Sequence, residues 1–432
     1  MMRVPINLSC ATYVACVLAA LPFLTASAAV NLTLPKCTGL DALSPQCKPV
    51  EANHRREVFY VGGHYELNAQ TKQNVLVDKM YVEKLTPVPK VSKPYPLVFF
   101  HGGGFSGTVS QNDKLALMSA LNMFRIQAWL QTPDNRKGFM SHFLELGYQV
   151  YLLDQTSVGR STQPDQTSYP TVGVSTAEGI IRGFTRMEDY NDYPQAKLHT
   201  QWPGTGTFGD PSFDALSGLA LPLTTASQRQ ESSMRSAGCA LLAIIGKSFL
   251  ISHSIGAAFP ILLSDQCPDL VAGSLNLEPT TIPFETIIGS ITSPNAGRAP
   301  SRQWGLANTP LTYDPAPATP ADLKTVRIGV DTAGNRSCLQ QADPPRRLTN
   351  IARVPYVALT GEASQHTTFD HCIVNYLRQA GGSPEWIRLW DIGIKGNGHF
   401  GYLEKNSDEY AKVAEMWLSK VSAGPLLRST TS

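Results

Sequence analysis

Short, mostly apolar segments recur along the chain and alternate with segments of helical character. Six of them suit strands buried on both faces of a parallel sheet: residues 96–100, 148–153, 249–251, 274–277, 356–359 and 386–389. Two earlier segments rich in Val and Tyr, 57–61 and 75–83, predict further strands. Helices are expected near 138–146 and 407–419, and such alternation predicts right-handed βαβ units. The expected fold class is therefore α/β, with a doubly wound, mostly parallel sheet.

Two long stretches interrupt this alternation, at about 163–236 and 280–350. Both are rich in Pro, Gly, Ser and Thr, and insertions of this length in a compact domain are usually lids or binding loops. We expect one domain over residues 56–432 that carries both stretches as cap-like insertions. An N-terminal arm over residues 29–55 would precede it.

The first 28 residues have the features of a secretory signal peptide. Arg3 is their only charged residue, an apolar stretch covers residues 10–24, and Ala26-Ser27-Ala28 ends the segment with small side chains. The alternative is a membrane anchor, but the stretch is shorter than the roughly 20 residues that a spanning helix needs. We expect cleavage after residue 28, secretion to the extracellular space and no stable membrane insertion.

Secretion would give the cysteines a structural role. Cys10 and Cys16 leave with the signal peptide, and the even number that remains favours disulfides in an oxidising compartment. Proximity and element order favour three pairs among the possible ones: Cys37–Cys47, Cys239–Cys267 and Cys338–Cys372. Acceptor sequences for N-glycosylation begin at Asn31 and Asn335.

The composition excludes several classes of function. The chain has 432 residues, with 36 Lys or Arg against 34 Asp or Glu, for a formal net charge of +2. This balance lacks the electrostatic signature of a nucleic-acid binder. Hydrophobic residues make up 42% of the chain, which is enough for a large core. We expect a small-molecule partner and no nucleic acid, while the sequence does not determine the oligomeric state.

The strongest chemical signal is the segment Ser252-His253-Ser254-Ile255-Gly256, directly after the expected strand 249–251. A sharp turn from strand to helix strains its central residue and needs small neighbours, here Ser252 and Gly256. Such a turn would hold the Ser254 hydroxyl at the tip of the sheet and leave the Ile255 N–H free to donate. Ser254 is the predicted nucleophile.

A glycine-rich loop, His101 to Gly107, follows the expected strand 96–100. Glycines let the backbone approach a ligand and aim N–H groups at it, which a tetrahedral oxyanion requires. A phosphate-binding loop would need Gly-Lys-Ser or Gly-Lys-Thr, which is absent from residues 101–107. We predict that Gly103, with Gly104, forms an oxyanion hole together with Ile255.

His399 is the predicted base. It lies in a loop after the strand 386–389, from which a histidine can reach the turn at Ser254. Two other histidines, His366 and His371, flank Asp370 at a spacing that matches no metal-binding helix motif. They are interpreted as cap or surface groups.

Three carboxylates are candidates for the acid that orients this base: Glu278, Glu362 and Asp370. One helix and one returning strand separate Ser254 from Glu278, which places that carboxylate beside the nucleophile, one strand over. Glu362 and Asp370 follow the next expected strand, residues 356–359. Glu278 is favoured and the others stay as alternatives; in each case the chain order is Ser, acid, His.

Several motifs resemble those of the α/β-hydrolase fold serine esterases. They are HGGGFSG (101–107), DQTSVGRS (154–161), SHSIG (252–256), LNLEP (275–279) and GNGHF (396–400). More narrowly, the chain resembles a branch of secreted bacterial and fungal esterases with the triad acid after strand six, from about Arg56 to Lys420. The resemblance implies Ser254 as nucleophile, Glu278 as acid and His399 as base. Ser252 departs from the family, because many hydrolases have Gly there.

The expected function is hydrolysis of a carboxylic ester, an apolar small molecule whose size the sequence does not determine, through an acyl-enzyme on Ser254, with no cofactor and no metal. Trp202 and Trp304, one in each insertion, are candidates for lining the acyl or alcohol pocket, or for the core of the cap. Two other functions stay open. One is a lyase or cyclase of natural-product assembly that uses the same pocket without water, and the other is a non-catalytic binding protein on this fold.

Overall fold

A computed structural model describes residues 37, 44, 46–106, 129–164, 168–173, 176–288 and 297–424. The predicted signal peptide, Asn31 and Gly107 lie outside the described residues.

Eight strands of the described residues form the main sheet. They are β1 (His54–Leu67), β2 (Asn74–Pro87), β3 (Leu97–Phe100), β4 (Val150–Asp154), β5 (Ser248–His253), β6 (Val271–Leu277), β7 (Tyr356–Thr360) and β8 (Glu385–Arg388). Their order across the sheet is β1-β2-β4-β3-β5-β6-β7-β8. β2 runs antiparallel to β1 and β4, while the neighbours from β4 to β8 pair in parallel. The predicted mostly parallel α/β sheet is confirmed, and each predicted strand is present with slightly different ends.

Seven α-helices lie within the described residues. They are α1 (Phe139–Glu145), α2 (Ala177–Ile180), α3 (Pro211–Ser217), α4 (Ser227–Ile245), α5 (Ala258–Gln266), α6 (Asp370–Gln379) and α7 (Ser407–Ser422). α4 begins inside the stretch 163–236 that was predicted as an insertion. Its first turn is polar and its buried residues are concentrated further along, so the sequence did not distinguish this turn from a loop. None of the described helices combines the length and the apolar character that crossing a membrane requires.

In the part of the chain that the structure describes, four short two-stranded ribbons lie outside the main sheet, within the two stretches predicted as insertions. They pair Thr171–Val172 with Leu223–Thr224, Glu285–Ile288 with Gly297–Pro300, Tyr313–Asp314 with Arg347–Leu348, and Thr325–Ile328 with Cys338–Gln341.

Alternate residues of the central strands enter two separate apolar clusters. In β3, Leu97 and Phe99 belong to the first cluster, and Val98 and Phe100 belong to the second. Because successive side chains of a strand point to opposite faces of the sheet, the clusters lie on opposite faces. Residues of α1 and α7 complete the first cluster, and residues of α4, α5 and α6 complete the second. The sheet is therefore covered by helices on both faces, as a doubly wound fold requires.

The three predicted disulfides are confirmed: Cys37–Cys47, Cys239–Cys267 and Cys338–Cys372. The second bond joins α4 to the residue that follows α5, and the third joins a ribbon of the second insertion to α6. Asn335 is exposed, which leaves its glycosylation open as a prediction.

Candidate active site

Ser254 lies at the turn between β5 and the helical segment that leads into α5. Its φ is +55°, in the left-handed region that residues with a side chain rarely adopt. A Cβ atom on Gly256 would collide with the carbonyl oxygen of His101 and lie 3.0 Å from that of Phe100. The turn is therefore as sharp as the sequence predicted, and only glycine fits two residues after Ser254.

Glu278 and His399 meet beside this turn. Glu278 follows β6, the neighbour of β5, and its carboxylate accepts a hydrogen bond from His399 Nδ1 at 2.6 Å. The Ser364 hydroxyl and the Gly361 N–H donate to the same carboxylate, at 2.6 and 2.8 Å. Three donors on one buried carboxylate hold it in place, so the imidazole that it binds has a defined orientation.

The burial of this pair changes both pKa values. Burial raises the pKa of the Glu278 carboxyl above its ordinary range, and the nearby Asp370 carboxylate adds to the rise, while the Ser364 and Gly361 hydrogen bonds oppose it. Burial lowers the pKa of His399, and the rings of His253 and His366 act in the same direction. The imidazole is therefore neutral at neutral pH, which is the form that accepts a proton.

The other two candidate carboxylates have different partners. Glu362 accepts a hydrogen bond from the Gly396 N–H at 2.9 Å. Asp370 binds His366, with 2.7 Å between Oδ1 and Nδ1, and both side chains are fully buried. The interpretation of His366 as a cap or surface group is therefore wrong, because the start of α6 brings Asp370 under the ring and takes the pair out of water.

The hydroxyl of Ser254 contacts a residue that the sequence did not indicate. Among the described residues, its hydrogen-bonding partner is Thr280 Oγ1, at 3.3 Å. His399 lies close by, since its ring is centred 4.5 Å from the ring of His253, the residue before Ser254. The structure thus brings Ser254, Glu278 and His399 to one edge of the sheet, with the last two in direct contact.

The glycine-rich loop after β3 borders the turn. A Cβ atom on Gly102 would lie 2.7 Å from His253 Nδ1 and 3.4 Å from Ser254 Cβ, and one on Gly103 would lie 2.9 Å from Ile255 Cδ1. A side chain at Gly102 would collide with the buried ring of His253, so the loop needs glycine there for its close approach, whereas at Gly103 the neighbour is the flexible end of the Ile255 side chain. The backbone of the loop lies next to Ser254 and Ile255, where the sequence predicted an oxyanion hole.

Two buried residues that sequence reasoning missed hold the loop of His399. His253 Nε2 donates to the His399 carbonyl at 3.0 Å, and burial lowers the pKa of His253 to about 3, so it is a neutral donor at neutral pH. Glu404 accepts hydrogen bonds from the Gly398 N–H at 3.0 Å and from Asn397 Nδ2 at 2.8 Å. His253 could have been noticed within the serine motif, whereas nothing in the sequence around Glu404 points to this role.

His199 is a buried charge that connects the first insertion with the His399 loop. Its Nδ1 is 2.8 Å from Glu188 Oε2, and its Nε2 is 2.8 Å from Glu404 Oε1. Burial alone would lower the pKa of His199, but the hydrogen bonds to Glu188 and Glu404 raise it to about 9. Protonated His199 therefore contributes its full stabilisation of the folded state below pH 6.5, the ordinary pKa of histidine. This contribution is lost as the pH rises to about 9. The loss is on the order of 3 kcal/mol.

We expect the urea midpoint of the wild type to be lower at pH 9.5 than at pH 6, and we expect His199→Gln to remove most of that decrease. His142→Gln is the matched control, because burial lowers the pKa of His142, opposite in direction to the rise at His199. A difference between the two pH values that persists in His199→Gln would contradict the assignment.

The two tryptophans suggested for the substrate pocket lie on opposite faces of the sheet. Trp202 is buried in the first cluster, and Trp304 packs against the second. Their role in substrate binding stays a prediction. Phe184 of the first insertion has a clearer connection to the site, because its ring stacks on His399 with 5.2 Å between centroids.

Glu278, His366 and His399 form a cluster whose ligand atoms lie within 4.8 Å of one another, as a metal site would need. The two imidazole planes are only 13° apart and are stacked. Their lone pairs therefore lie in separate parallel planes and do not converge on one ion. A second cluster, Cys338, His371 and Cys372, has both thiols joined in a disulfide.

No protein-family model matches the chain. A fungal protein (Fungal sp., strain ATCC 74256) named "Probable secreted lipase phiG" is 38% identical over 365 residues, which cover 84% of this chain and 89% of that protein. A bacterial esterase of known structure is similar over 87% of this chain and 98% of its own, with a TM-score of 0.54 and 18% identity, which shows a shared fold. The chain therefore belongs to the family of that secreted lipase, within the α/β-hydrolase fold.

Proposed function

We propose that this protein is a secreted serine hydrolase that cleaves carboxylic esters through an acyl-enzyme on Ser254. The observation that carries the proposal is the strained turn that presents Ser254 beside the buried His399–Glu278 pair. The fungal relative named as a secreted lipase supports the ester as substrate class. Three disulfides support secretion, because such bonds persist in oxidising compartments.

The reaction uses groups that lie within or beside this turn. His399 Nε2 takes the proton of Ser254 while Oγ bonds to the carbonyl carbon of the ester, and the N–H groups of Ile255 and Gly103, with Gly104, donate to the oxyanion. The imidazolium, stabilised by Glu278, then gives its proton to the departing alcohol. Water then attacks the acyl-enzyme by the same proton transfers and releases the carboxylic acid product. Each proton moves between protein, ester and water, so the proposal needs no metal or cofactor.

The surroundings of His399 favour an apolar substrate. Phe184 stacks on its ring, Phe400 lies 5.3 Å from it, and Phe105 of the glycine-rich loop lies 5.5 Å from Phe400. These rings exclude water from the base, and the two that are partly exposed, Phe184 and Phe105, offer apolar contact area to an acyl or alcohol group. We therefore propose small, apolar esters as the substrates.

A fluorophosphonate probe with a fluorescent reporter tests the nucleophile. The wild type is expected to be labelled at one residue, identified as Ser254 by peptide mass spectrometry, and Ser254→Ala is expected to show no labelling. Ser252→Ala is the matched control, because Ser252 is buried and its hydroxyl donates to Asn276 Oδ1 at 2.7 Å, away from any substrate. An unlabelled wild type, or a labelled Ser254→Ala, would overturn the proposal.

A further inference from the structure

A second histidine–carboxylate pair lies against the first. His366 binds Asp370 as His399 binds Glu278, with 2.7 Å between Nδ1 and the carboxylate. The His366 ring stacks on the His399 ring, with 4.7 Å between centroids and 13° between planes. Two imidazoles, each on its own carboxylate, are therefore stacked beside the turn of Ser254.

Asp370 is held in a fixed orientation. The Thr360 hydroxyl donates to Asp370 Oδ2 at 2.6 Å, and the indole N–H of Trp386 donates to the Thr360 oxygen at 2.9 Å. Asp370 Oδ1 is left to accept the N–H at Nδ1 of His366. This arrangement selects the tautomer with a free lone pair on Nε2, as in the histidine of an acyl-transfer triad.

The Nε2 atom of His366 faces a hydroxyl that also touches the nucleophile. Thr280 Oγ1 lies 3.4 Å from His366 Nε2 and 3.3 Å from Ser254 Oγ. Because Nε2 accepts the Thr280 proton, the Thr280 oxygen is left to accept the proton of Ser254. The Thr280 N–H donates to the Ser254 carbonyl at 3.1 Å and keeps the two residues together. The hydrogen bonds therefore run in one direction, from Ser254 through Thr280 to His366.

We propose that Thr280, oriented by His366 and Asp370, provides a second proton path from Ser254, parallel to the path through His399. This inference rests on the proposed role of Ser254 as nucleophile. Thr280 is a catalytic residue because it touches the reacting oxygen, and His366 and Asp370 are positioning residues that act through it.

The proton transfer along this path balances. As Ser254 Oγ bonds to the ester carbon, its proton passes to Thr280 Oγ1, and the Thr280 proton passes to His366 Nε2, where Asp370 stabilises the imidazolium. One O–H bond is lost at Ser254, one N–H bond forms at His366, and Thr280 is unchanged. The proton returns through Thr280 to the departing alkoxide. The two contacts are long for hydrogen bonds of a hydroxyl, and contacts of this kind shorten in the complex with substrate.

Ester hydrolysis by matched variants tests the second path. We expect His399→Gln to retain a kcat about 10-fold or more above that of Ser254→Ala, a small part of what a positioned base supplies. Thr280→Val in the His399→Gln background should lower this residual activity to the Ser254→Ala level. Thr280→Ser, which keeps the hydroxyl, should retain most of it. In the wild-type background, Thr280→Val and His366→Gln should each lower kcat several-fold with little change in KM.

Two results would overturn the second path: no activity of His399→Gln above Ser254→Ala, or residual activity that Thr280→Val leaves unchanged. If circular dichroism shows that His399→Gln is unfolded, Glu278→Gln takes its place in the experiment, because the loss of this carboxylate also disables the His399–Glu278 pair. Labelling of Ser254 by the fluorophosphonate separates the two proposals. A wild type that is labelled while the second path fails leaves the serine hydrolase intact, whereas an unlabelled wild type removes both.

Discussion

Glu278→Gln is expected to lower kcat for ester hydrolysis by roughly 10³- to 10⁴-fold while the protein stays folded. Glutamine has nearly the same shape as glutamate but carries no charge, so it cannot stabilise the imidazolium of His399. An amide that donates to Nδ1 would also select the wrong tautomer of the ring. The measurement is steady-state hydrolysis of p-nitrophenyl esters, with circular dichroism to verify folding.

Glu362→Gln is the matched control for this variant. Glu362 follows the next strand, β7, and accepts a hydrogen bond from the Gly396 N–H, so its amide should change kcat by less than about 3-fold. If Glu362→Gln shows the large loss and Glu278→Gln does not, the acid lies after β7 and the assignment of Glu278 is wrong.

Gly256→Ala is expected to reduce both activity and stability. The new methyl group would meet the carbonyl oxygens of His101 and Phe100, and backbone atoms cannot rotate away as a side chain can. Overpacking of this kind costs about 1–3 kcal/mol, and a displacement of the Ser254 turn by 1 Å would lower kcat on the order of 10²-fold. Urea unfolding and ester hydrolysis measure the two effects.

Gly173→Ala makes the same substitution where the structure offers open space, with nothing within 4 Å of the added atom. It is expected to leave the urea midpoint and kcat unchanged. A Gly256→Ala protein with wild-type activity would show that the turn tolerates a side chain, against the close packing seen at β3 and β5.

The architecture of the sheet was largely predictable from local pattern. Strands buried on both faces of a parallel sheet are short and apolar, so β3, β5 and β7 stand out between polar segments. The start of α4 was not predictable in the same way. Its first turn is polar and begins with exposed residues, so it resembles a loop, and only the structure shows that the helix already begins at Ser227.

The candidate site was predictable where chemistry is concentrated in one motif. Ser254 follows a strand and is flanked by small residues, and Glu278 ends the next strand, so local sequence indicates both. His366 was misinterpreted although its partner Asp370 is close in sequence. The burial of His366 depends on β7, α6 and the second insertion together, and no local pattern records that. Thr280 and Glu404 act only through contacts with residues distant in sequence, which no local pattern records.

The alternation of apolar and polar residues along this chain was sufficient for the fold class, and cysteine spacing with element order was sufficient for the three disulfides. Local motifs also indicated the candidate residues of the site. Such features depend on neighbours in sequence or on the ends of successive strands, which meet at one edge of a parallel sheet. The tertiary structure alone showed that Glu278 rather than Glu362 contacts His399, that His199 is buried between two carboxylates, and that a second imidazole stacks on the first. These properties depend on side chains from distant segments meeting out of water, where burial and a single hydrogen bond determine the charge and orientation of each group.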